Sequence, residues 1–268
     1  MIDPKVTEGF RIQIDVIKAL LLREMITLWG RRNIGFLWVL FEPLVIIFVI
    51  TMVVYIVKSY SGGETFRLFG VDLLAFLVTG YSISTLWRRT PIRMSAAITA
   101  NKGLLVHRNV KPFDLYMSRY ILEVVGVTLS FIIMMVGFVS FDIMPAPASY
   151  ELMVAAWILM MWFTFGLGYV IAPIMSMGTY YNFAWIGISI VLYFLSGSFY
   201  MVDWLPAKLQ VILLWNPLLS GTEMLRHGYF GDSVKTFEEP FYVIKWNFCL
   251  TLLGLYTVRS KFFLNRHS

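Results

Sequence analysis

The residues from Leu152 to Val202 include no Asp, Glu, Lys or Arg, which makes a charge-free run of 51 residues. A helix of that length would measure about 75 Å, whereas the hydrocarbon core of a bilayer is about 30 Å thick. The run therefore has to fold back on itself, and its helix-breaking residues are Pro173, Gly178 and Asn182. The sequence predicts two membrane-spanning helices that meet near residues 174–182.

Other apolar segments have a length close to that of a membrane span. Hydrophobic residues make up 59% of the 268 residues and charged residues only 14%, which excludes a disordered chain, a disulfide scaffold and an ordinary soluble enzyme. We predict an all-α polytopic membrane protein, with residues 1–268 forming a single transmembrane domain of six spans. The other predicted spans are Gly35–Val57, Val71–Trp87, Ile121–Phe141 and Phe241–Val258.

The first 33 residues are predicted to form a cytoplasmic interfacial helix. Apolar side chains recur at spacings of three and four residues from Phe10 to Leu28, and charged residues such as Arg11 and Asp15 interrupt the segment. Such an amphipathic helix lies in the plane of the membrane surface and does not cross it. The alternative is a soluble helix that packs on a core.

Residues 196–239 are too apolar for a solvated loop and too often interrupted to span the membrane. Pro206, Asn216-Pro217 and Gly221 break the segment between its aromatic and aliphatic residues. We expect short re-entrant helices that enter the membrane and return to the same side, with their irregular backbone buried in protein or facing a water-filled cavity.

Basic residues are distributed unequally between the two sides of this topology. With a cytoplasmic N-terminus, the inner segments carry 16 Lys and Arg residues and the outer segments carry 5. Cytoplasmic loops are enriched in Lys and Arg, so both termini are predicted to be cytoplasmic. The net charge of +6 then indicates topology and not a nucleic-acid partner.

The sequence contains no motif of an enzyme that acts alone. It has no phosphate-binding loop of the Gly-x-x-x-x-Gly-Lys-[Ser/Thr] type, no Gly-x-Ser-x-Gly elbow and no His or Cys spacing typical of a metal site. We therefore expect no catalytic residue, no metal and no cofactor in this chain. Nothing in it resembles the filter of an ion channel, which makes a channel a weak alternative.

The segment 88–119 between the second and third spans is the first candidate functional region. A helix-compatible stretch from Ser95 to Leu105 lies between basic residues, so a partner ATPase could bind it; the alternative is an ordinary solvated loop rich in positive charge. The candidate coupling residues are Arg93, Ser95, Ala96, Ile98, Asn101, Lys102 and Leu104.

A second candidate region precedes and enters the first span. Arg side chains bind phosphate or carboxylate with two parallel hydrogen bonds, and Trp favours the level of the lipid headgroups. The region could hold a lipid headgroup or a lipid-linked anion, whereas the alternative is ordinary membrane anchoring with structural pairing of the carboxylate in the span. Its candidate residues are Arg23, Glu24, Trp29, Arg31, Arg32, Trp38 and Glu42.

Aromatic residues form the third candidate set, because they make up 17% of the chain. Sugar rings stack on aromatic rings, so such side chains could line the path of a moving polymer, although aromatic residues that face lipid are the common alternative. The candidates are Tyr81, Trp87, Tyr180, Tyr181, Phe183, Trp185, Phe199 and Tyr200.

Three stretches carry a family resemblance. They are Leu22-Arg23-Glu24-Met25 through Gly35-Phe36-Leu37-Trp38 to Glu42-Pro43, then Leu77-Val78-Thr79-Gly80-Tyr81 with Trp87-Arg88, and finally Ser196-Gly197-Ser198-Phe199-Tyr200 with Trp215-Asn216-Pro217-Leu218 and Glu223-Met224-Leu225-Arg226. In order and spacing the chain resembles the membrane subunits of ABC-type (type-2) polysaccharide exporters, in particular the capsular polysaccharide export permeases.

The resemblance implies a function and a set of partners. Such permeases are homodimers with two separate ATP-binding cassette subunits, which carry the ATP and Mg. They lie in the bacterial inner membrane and move lipid-linked capsular polysaccharide from the cytoplasm to the periplasm, where a polysaccharide co-polymerase and an outer-membrane export protein receive it. The alternatives are a type-2 permease for teichoic acid, O-antigen or a drug, and a non-transporting scaffold of an envelope complex.

Overall fold

A computed structural model describes residues 4–29, 67–68, 71–101 and 110–264, together with positions 41, 44–46, 48, 49, 51–53, 56, 103 and 105. These residues are almost entirely helical. The α-helices in the continuous ranges are α1 (Pro4–Trp29), α2 (Leu73–Ala100), α3 (Pro112–Ser140), α4 (Tyr150–Met175), α5 (Thr179–Leu195), α6 (Ala207–Leu213), α7 (Pro217–Phe230) and α8 (Pro240–Leu264). An antiparallel pair of two-residue strands, β1 (Arg67–Leu68) and β2 (Val71–Asp72), precedes α2.

Three helices among the described residues are long and apolar enough to cross a membrane. They are α3, α4 and the part of α8 that runs from Pro240 to Ser260. Helix α5 is a shorter apolar helix of 17 residues. These helices match the predicted third to sixth spans, whereas most of the predicted first span lies outside the described residues.

The charge-free run folds back where the sequence predicts. Helix α4 ends at Met175, and Gly178 is the N-cap of α5. The Asn182 side-chain amide donates hydrogen bonds to the carbonyl oxygens of Met175 and Gly178, both at 3.4 Å. Pro173 lies within the last turn of α4 and does not itself end the helix.

The helix that contains the predicted second span extends beyond the predicted end of that span. A stop at Trp87 was expected because Arg88 and Arg89 follow, but α2 continues through both arginines and through Pro91 to Ala100. Both charges have partners within the protein, because Arg89 pairs with Glu123 and the Arg88 guanidinium lies over the ring of Tyr193. Residues 95–100 are consequently the end of α2 and not part of a separate short helix.

Helix α4 lies at the centre of the packing. Helices α2, α7 and α8 all pack against it, and the main buried core contains Trp87, Phe131, Trp157 and Met160. Helix α7 runs along the first half of α4 in the opposite direction, because Gly228 lies against Met153 and Gly221 lies against Met160. This packing places the segment 196–239 beside the core helices, in the form of short helices and turns as predicted.

Candidate functional site

Five charged side chains from three helices form a cluster at one end of the helix bundle. The Glu123 carboxylate on α3 lies 3.2 Å from Arg89 Nε of α2, 3.2 Å from Arg119 Nη2 and 3.9 Å from Arg93 Nε. Arg119 also donates to Glu24 of α1, with 3.1 Å between Nη1 and Oε2. We call Glu24, Arg89, Arg93, Arg119 and Glu123 the five-charge cluster.

Four of the five side chains in the cluster are largely buried, whereas that of Arg93 is partly exposed, and this burial determines the energetics of the cluster. The Glu123 side chain is fully buried, and those of Arg119, Arg89 and Glu24 are nearly so. Removing one partner from a buried ion pair leaves an uncompensated charge and destabilises a protein strongly. The Glu123 carboxylate contacts three guanidinium groups, so its removal is expected to destabilise the cluster more than the removal of any other member.

The five-charge cluster also connects α1 to the ends of α2 and α3. The Asn101 amide nitrogen donates to Glu24 Oε1 at 2.7 Å, and the Gln13 amide nitrogen donates to Asp114 Oδ1 at 2.9 Å. Asp114 in turn accepts from the backbone N–H of Lys111, next to Pro112 at the start of α3. Polar contacts therefore hold α1 against the end of α2, at Asn101, and against the start of α3, at Asp114.

Two predicted site regions come together at this cluster. Glu24 was assigned to the lipid-linker region, and Arg93 and Asn101 were assigned to the coupling segment. Of the other candidates, Ser95 is buried, Ile98 is half-buried, and Arg23 and Ala96 are exposed. The side chain of Trp29 and the residues Arg31, Arg32, Trp38, Glu42, Lys102 and Leu104 lie outside the described residues.

The remaining cluster members were missed as a site. Arg89, Arg119 and Glu123 are not among the candidate residues that the sequence indicates. The signal was present in the sequence, because Arg119 and Glu123 are four residues apart and so share one face of a helix. The contact of that face with Arg89 depends on helix packing, which the sequence does not reveal.

A second buried charge lies at the other end of α2. Arg226 of α7 is fully buried and donates to the backbone carbonyl oxygens of Gly197, Ser198 (2.9 Å), Tyr200 (2.7 Å) and Phe76 (3.4 Å). Its guanidinium carbon also lies 3.7 Å from the centroid of the Phe76 ring. We call Arg226 and these acceptors the arginine cage; it binds the irregular backbone of residues 197–200 to α2 and α7.

Close packing surrounds the arginine cage. A Cβ atom at Gly80 would lie 2.6 Å from the Ser198 carbonyl oxygen and 2.8 Å from Arg226 Nη2, so the backbone approach requires glycine there. The buried Glu223 carboxylate accepts a hydrogen bond from the Val202 N–H at 3.4 Å. The sequence indicates Glu223 and Arg226 only as part of a family motif, and it does not predict that both side chains are buried beside residues 197–202.

Helix α2 presents one accessible stripe. From Leu74 to Pro91 every residue is buried except Leu77, Tyr81, Thr85, Arg88 and Arg89. Leu77, Tyr81, Thr85 and Arg88 are spaced by four, four and three residues and so lie on one face, which continues to Ile92. Arg89 is the exception, since it points to Glu123. We call the face from Leu77 to Ile92 the α2 stripe.

The predicted aromatic residues divide into accessible and buried groups. Tyr81 lies on the α2 stripe, Phe199 is exposed, and Tyr200 is half-buried. Tyr180, Tyr181 and Phe183 are exposed at the start of α5. Trp87 and Trp185 are corrections, because both side chains are buried and cannot line a path in this conformation.

An aromatic group adjoins the α2 stripe. Phe199 packs against Tyr193 and Phe194 of α5, with ring centroids 4.8 Å and 5.4 Å away. Tyr193 in turn lies beneath the guanidinium of Arg88.

Among the residues that the structure describes, no group of His, Cys, Asp and Glu could hold a metal ion.

Comparisons with known proteins agree over nearly the whole chain. Residues 15–230 match the family model of the ABC-2 type transporter. The chain is 40% identical over 253 residues to the capsule polysaccharide export inner-membrane protein BexB of Haemophilus influenzae, covering 94% of this chain and 93% of the relative. It is likewise 40% identical to CtrC of Neisseria meningitidis serogroup B, a protein of the same description, over 95% and 94% of the two chains. The polysialic acid transport protein KpsM of Escherichia coli is 26% identical over 94% and 96%.

Proposed function

Because this chain belongs to the ABC-2 type transporter family, we propose that it is the membrane permease of an ATP-driven exporter of capsular polysaccharide. The observation that carries this proposal is the 40% identity, over more than nine-tenths of both chains, to inner-membrane proteins of capsule polysaccharide export. The exported material would be lipid-linked polysaccharide that moves from the cytoplasm to the periplasm.

The proposal includes a topology of six spans with both termini in the cytoplasm. Three helices suitable for crossing a membrane, a shorter fourth apolar helix and the excess of basic residues on one side support it. In this topology the five-charge cluster lies toward the cytoplasm, and the arginine cage lies toward the periplasm.

The segment 196–239 would enter the membrane from the periplasmic side and return. Its helix α7 reaches Met160 of α4, which is ten residues, or about 15 Å, from the start of that helix. Irregular backbone at such a depth needs polar partners from the protein, since lipid offers none. Arg226 supplies them by donating to the carbonyls of residues 197, 198 and 200.

The ATPase partner would act on the segment 88–119. Ala96 is exposed at the end of α2, and the nearby Asn101 binds Glu24 of α1. A push on this segment would therefore reach α1 and α3 through the five-charge cluster. Lys102 and Leu104 would complete the surface that the ATPase contacts.

The lipid linker would bind where α1 leads into the first span. Arg31 and Arg32 would bind its anionic group, Trp29 and Trp38 would lie at the headgroup level, and Glu42 would face the interior of the bundle. Two copies of the chain would assemble with two ATP-binding subunits, and a periplasmic co-polymerase and an outer-membrane export protein would receive the polymer.

Deletion of the gene in an encapsulated host tests the function. We expect surface polysaccharide to disappear while lipid-linked polymer accumulates inside the cell, and a plasmid-borne copy to restore the surface polymer. Fractionated cells analysed with an antibody against the capsule give both quantities. A deletion strain with unchanged surface polymer would contradict the proposal, and a loss of synthesis without accumulation would favour the scaffold.

A further inference from the structure

Two adjacent arginines in the middle of α2 have different environments. Arg88 is 15 residues from Leu73, so it lies about 23 Å along a helix of 28 residues. Arg89 lies 3.2 Å from the buried carboxylate of Glu123. Successive residues of a helix point in directions about 100° apart, so Arg88 faces away from that carboxylate and toward α5.

Arg88 has a π partner and, among the residues that the structure describes, no anionic one. Its guanidinium carbon lies 4.5 Å from the centroid of the Tyr193 ring, and its Nε atom is buried without a hydrogen-bond partner. Within the described part of the chain no carboxylate lies at ion-pair distance from Arg88. Burying the Nε–H without a hydrogen-bond acceptor is costly, and a π face compensates only part of that cost.

The surroundings of Arg88 are those of a binding surface. Arg88 lies on the α2 stripe with the hydroxyl-bearing side chains of Tyr81 and Thr85, which precede it by seven and three residues. Its side chain remains partly accessible. Beside it are Tyr193 and, in ring contact with Tyr193, the exposed Phe199. A cation with an unsatisfied planar donor, flanked by hydroxyls and aromatic rings, fits an anionic carbohydrate.

We propose that Arg88 binds an anionic group of the material that the protein exports, a carboxylate or a phosphate, on the α2 stripe within the membrane domain. This inference rests on the proposed export function. The planar guanidinium offers parallel N–H donors that match either group, and stacking on Tyr193 orients it. The group belongs either to the sugar repeats or to the lipid that carries the polymer.

The first test measures export by Arg88 variants in the deletion strain. Arg88→Met is expected to lower surface polymer about tenfold or more, because a charge-assisted contact changes an equilibrium by at least a power of ten. Arg88→Lys keeps the charge but loses the planar pair of donors, so its export is expected to lie between that of Arg88→Met and that of the wild type. Arg259→Met, which removes an exposed arginine from α8, is the matched control and is expected to export normally.

Protein abundance and oligomeric state are measured for the same variants. If Arg88→Met does not accumulate in the membrane, Arg88→Gln provides a second neutral variant that keeps a polar head. Normal export by a neutral variant, or a loss of export that only follows a loss of the protein or of its assembly, would overturn the inference. Absence of any capsule defect in the deletion strain would instead contradict the export function itself.

The second test identifies the source of the anionic group. The complete complex with its ATPase is reconstituted in phosphatidylcholine nanodiscs, and ATP hydrolysis is measured after addition of delipidated capsular polymer or of phosphatidylglycerol. A response to the polymer that Arg88→Met lacks assigns the group to the sugar repeats, and a response to phosphatidylglycerol that it lacks assigns the group to a lipid phosphate. Equal responses of the wild type and Arg88→Met to both probes would overturn the inference.

Discussion

Replacing Glu123 by Gln is expected to lower the free energy of unfolding by about 3–5 kcal/mol, the range for removing one partner from a buried ion pair. The substitution keeps the size of the side chain and removes only its charge. Arg119 would then keep its contact with Glu24, whereas Arg89 and Arg93 would lose their contact with a charged Glu123. Unfolding by titration with sodium dodecyl sulfate, followed by tryptophan fluorescence of the purified protein, measures the change.

Two further variants make the Glu123 experiment specific. Glu151→Gln removes an exposed carboxylate from the first turn of α4 and is expected to change stability by less than about 1 kcal/mol. Adding Arg89→Gln to Glu123→Gln removes one of the cations that contact Glu123 and is expected to recover part of the loss, since residues in one network are not additive. A Glu123→Gln protein as stable as Glu151→Gln would show that the cluster contributes little.

Replacing Arg226 by Met is expected to destabilise the protein by at least about 3 kcal/mol, because hydrogen bonds to a charged group contribute about 1.5–3 kcal/mol each. Four buried carbonyl oxygens would lose their donor. The main cost therefore comes from the carbonyls of residues 76, 197, 198 and 200.

The Arg226 prediction has a local readout as well as a global one. Amide hydrogen exchange in residues 196–202 is expected to increase in Arg226→Met and to increase less in Arg226→Lys, which keeps a donor but loses the planar group. Lys208→Met on α6 removes an exposed cation and is expected to leave both exchange and stability unchanged. Unaltered exchange in Arg226→Met would show that the cage does not hold this segment.

The positions of the helices could be predicted from the sequence because they depend on local properties. The break after Met175 follows from the length of the charge-free run and from Gly178, and both are visible without any tertiary contact. The amphipathic spacing of residues 10–28 likewise predicts α1, which extends from Pro4 to Trp29. Apolar length and helix breakers are properties of neighbouring residues, so a single sequence reveals them.

The charged sites could not be predicted because they depend on contacts between distant residues. The pair Arg88-Arg89 indicates the end of a span when charges are assumed to face water, yet α2 continues because Glu123 compensates Arg89. The same limit applies to Arg226, whose acceptors lie up to 150 residues away along the chain. Trp87 and Trp185 show a related failure, since an aromatic residue in a core helix and one on a path have the same local pattern.

Transport into inverted membrane vesicles tests the central claim most directly. Vesicles whose cytoplasmic face points outward, and which contain this chain with its ATPase, receive lipid-linked capsular polymer, and a glycoside hydrolase then digests whatever polymer stays outside. We predict that polymer becomes protected in the lumen only when ATP and this chain are both present. Equal protection without ATP, or in vesicles that lack the chain, would contradict its assignment as the export permease.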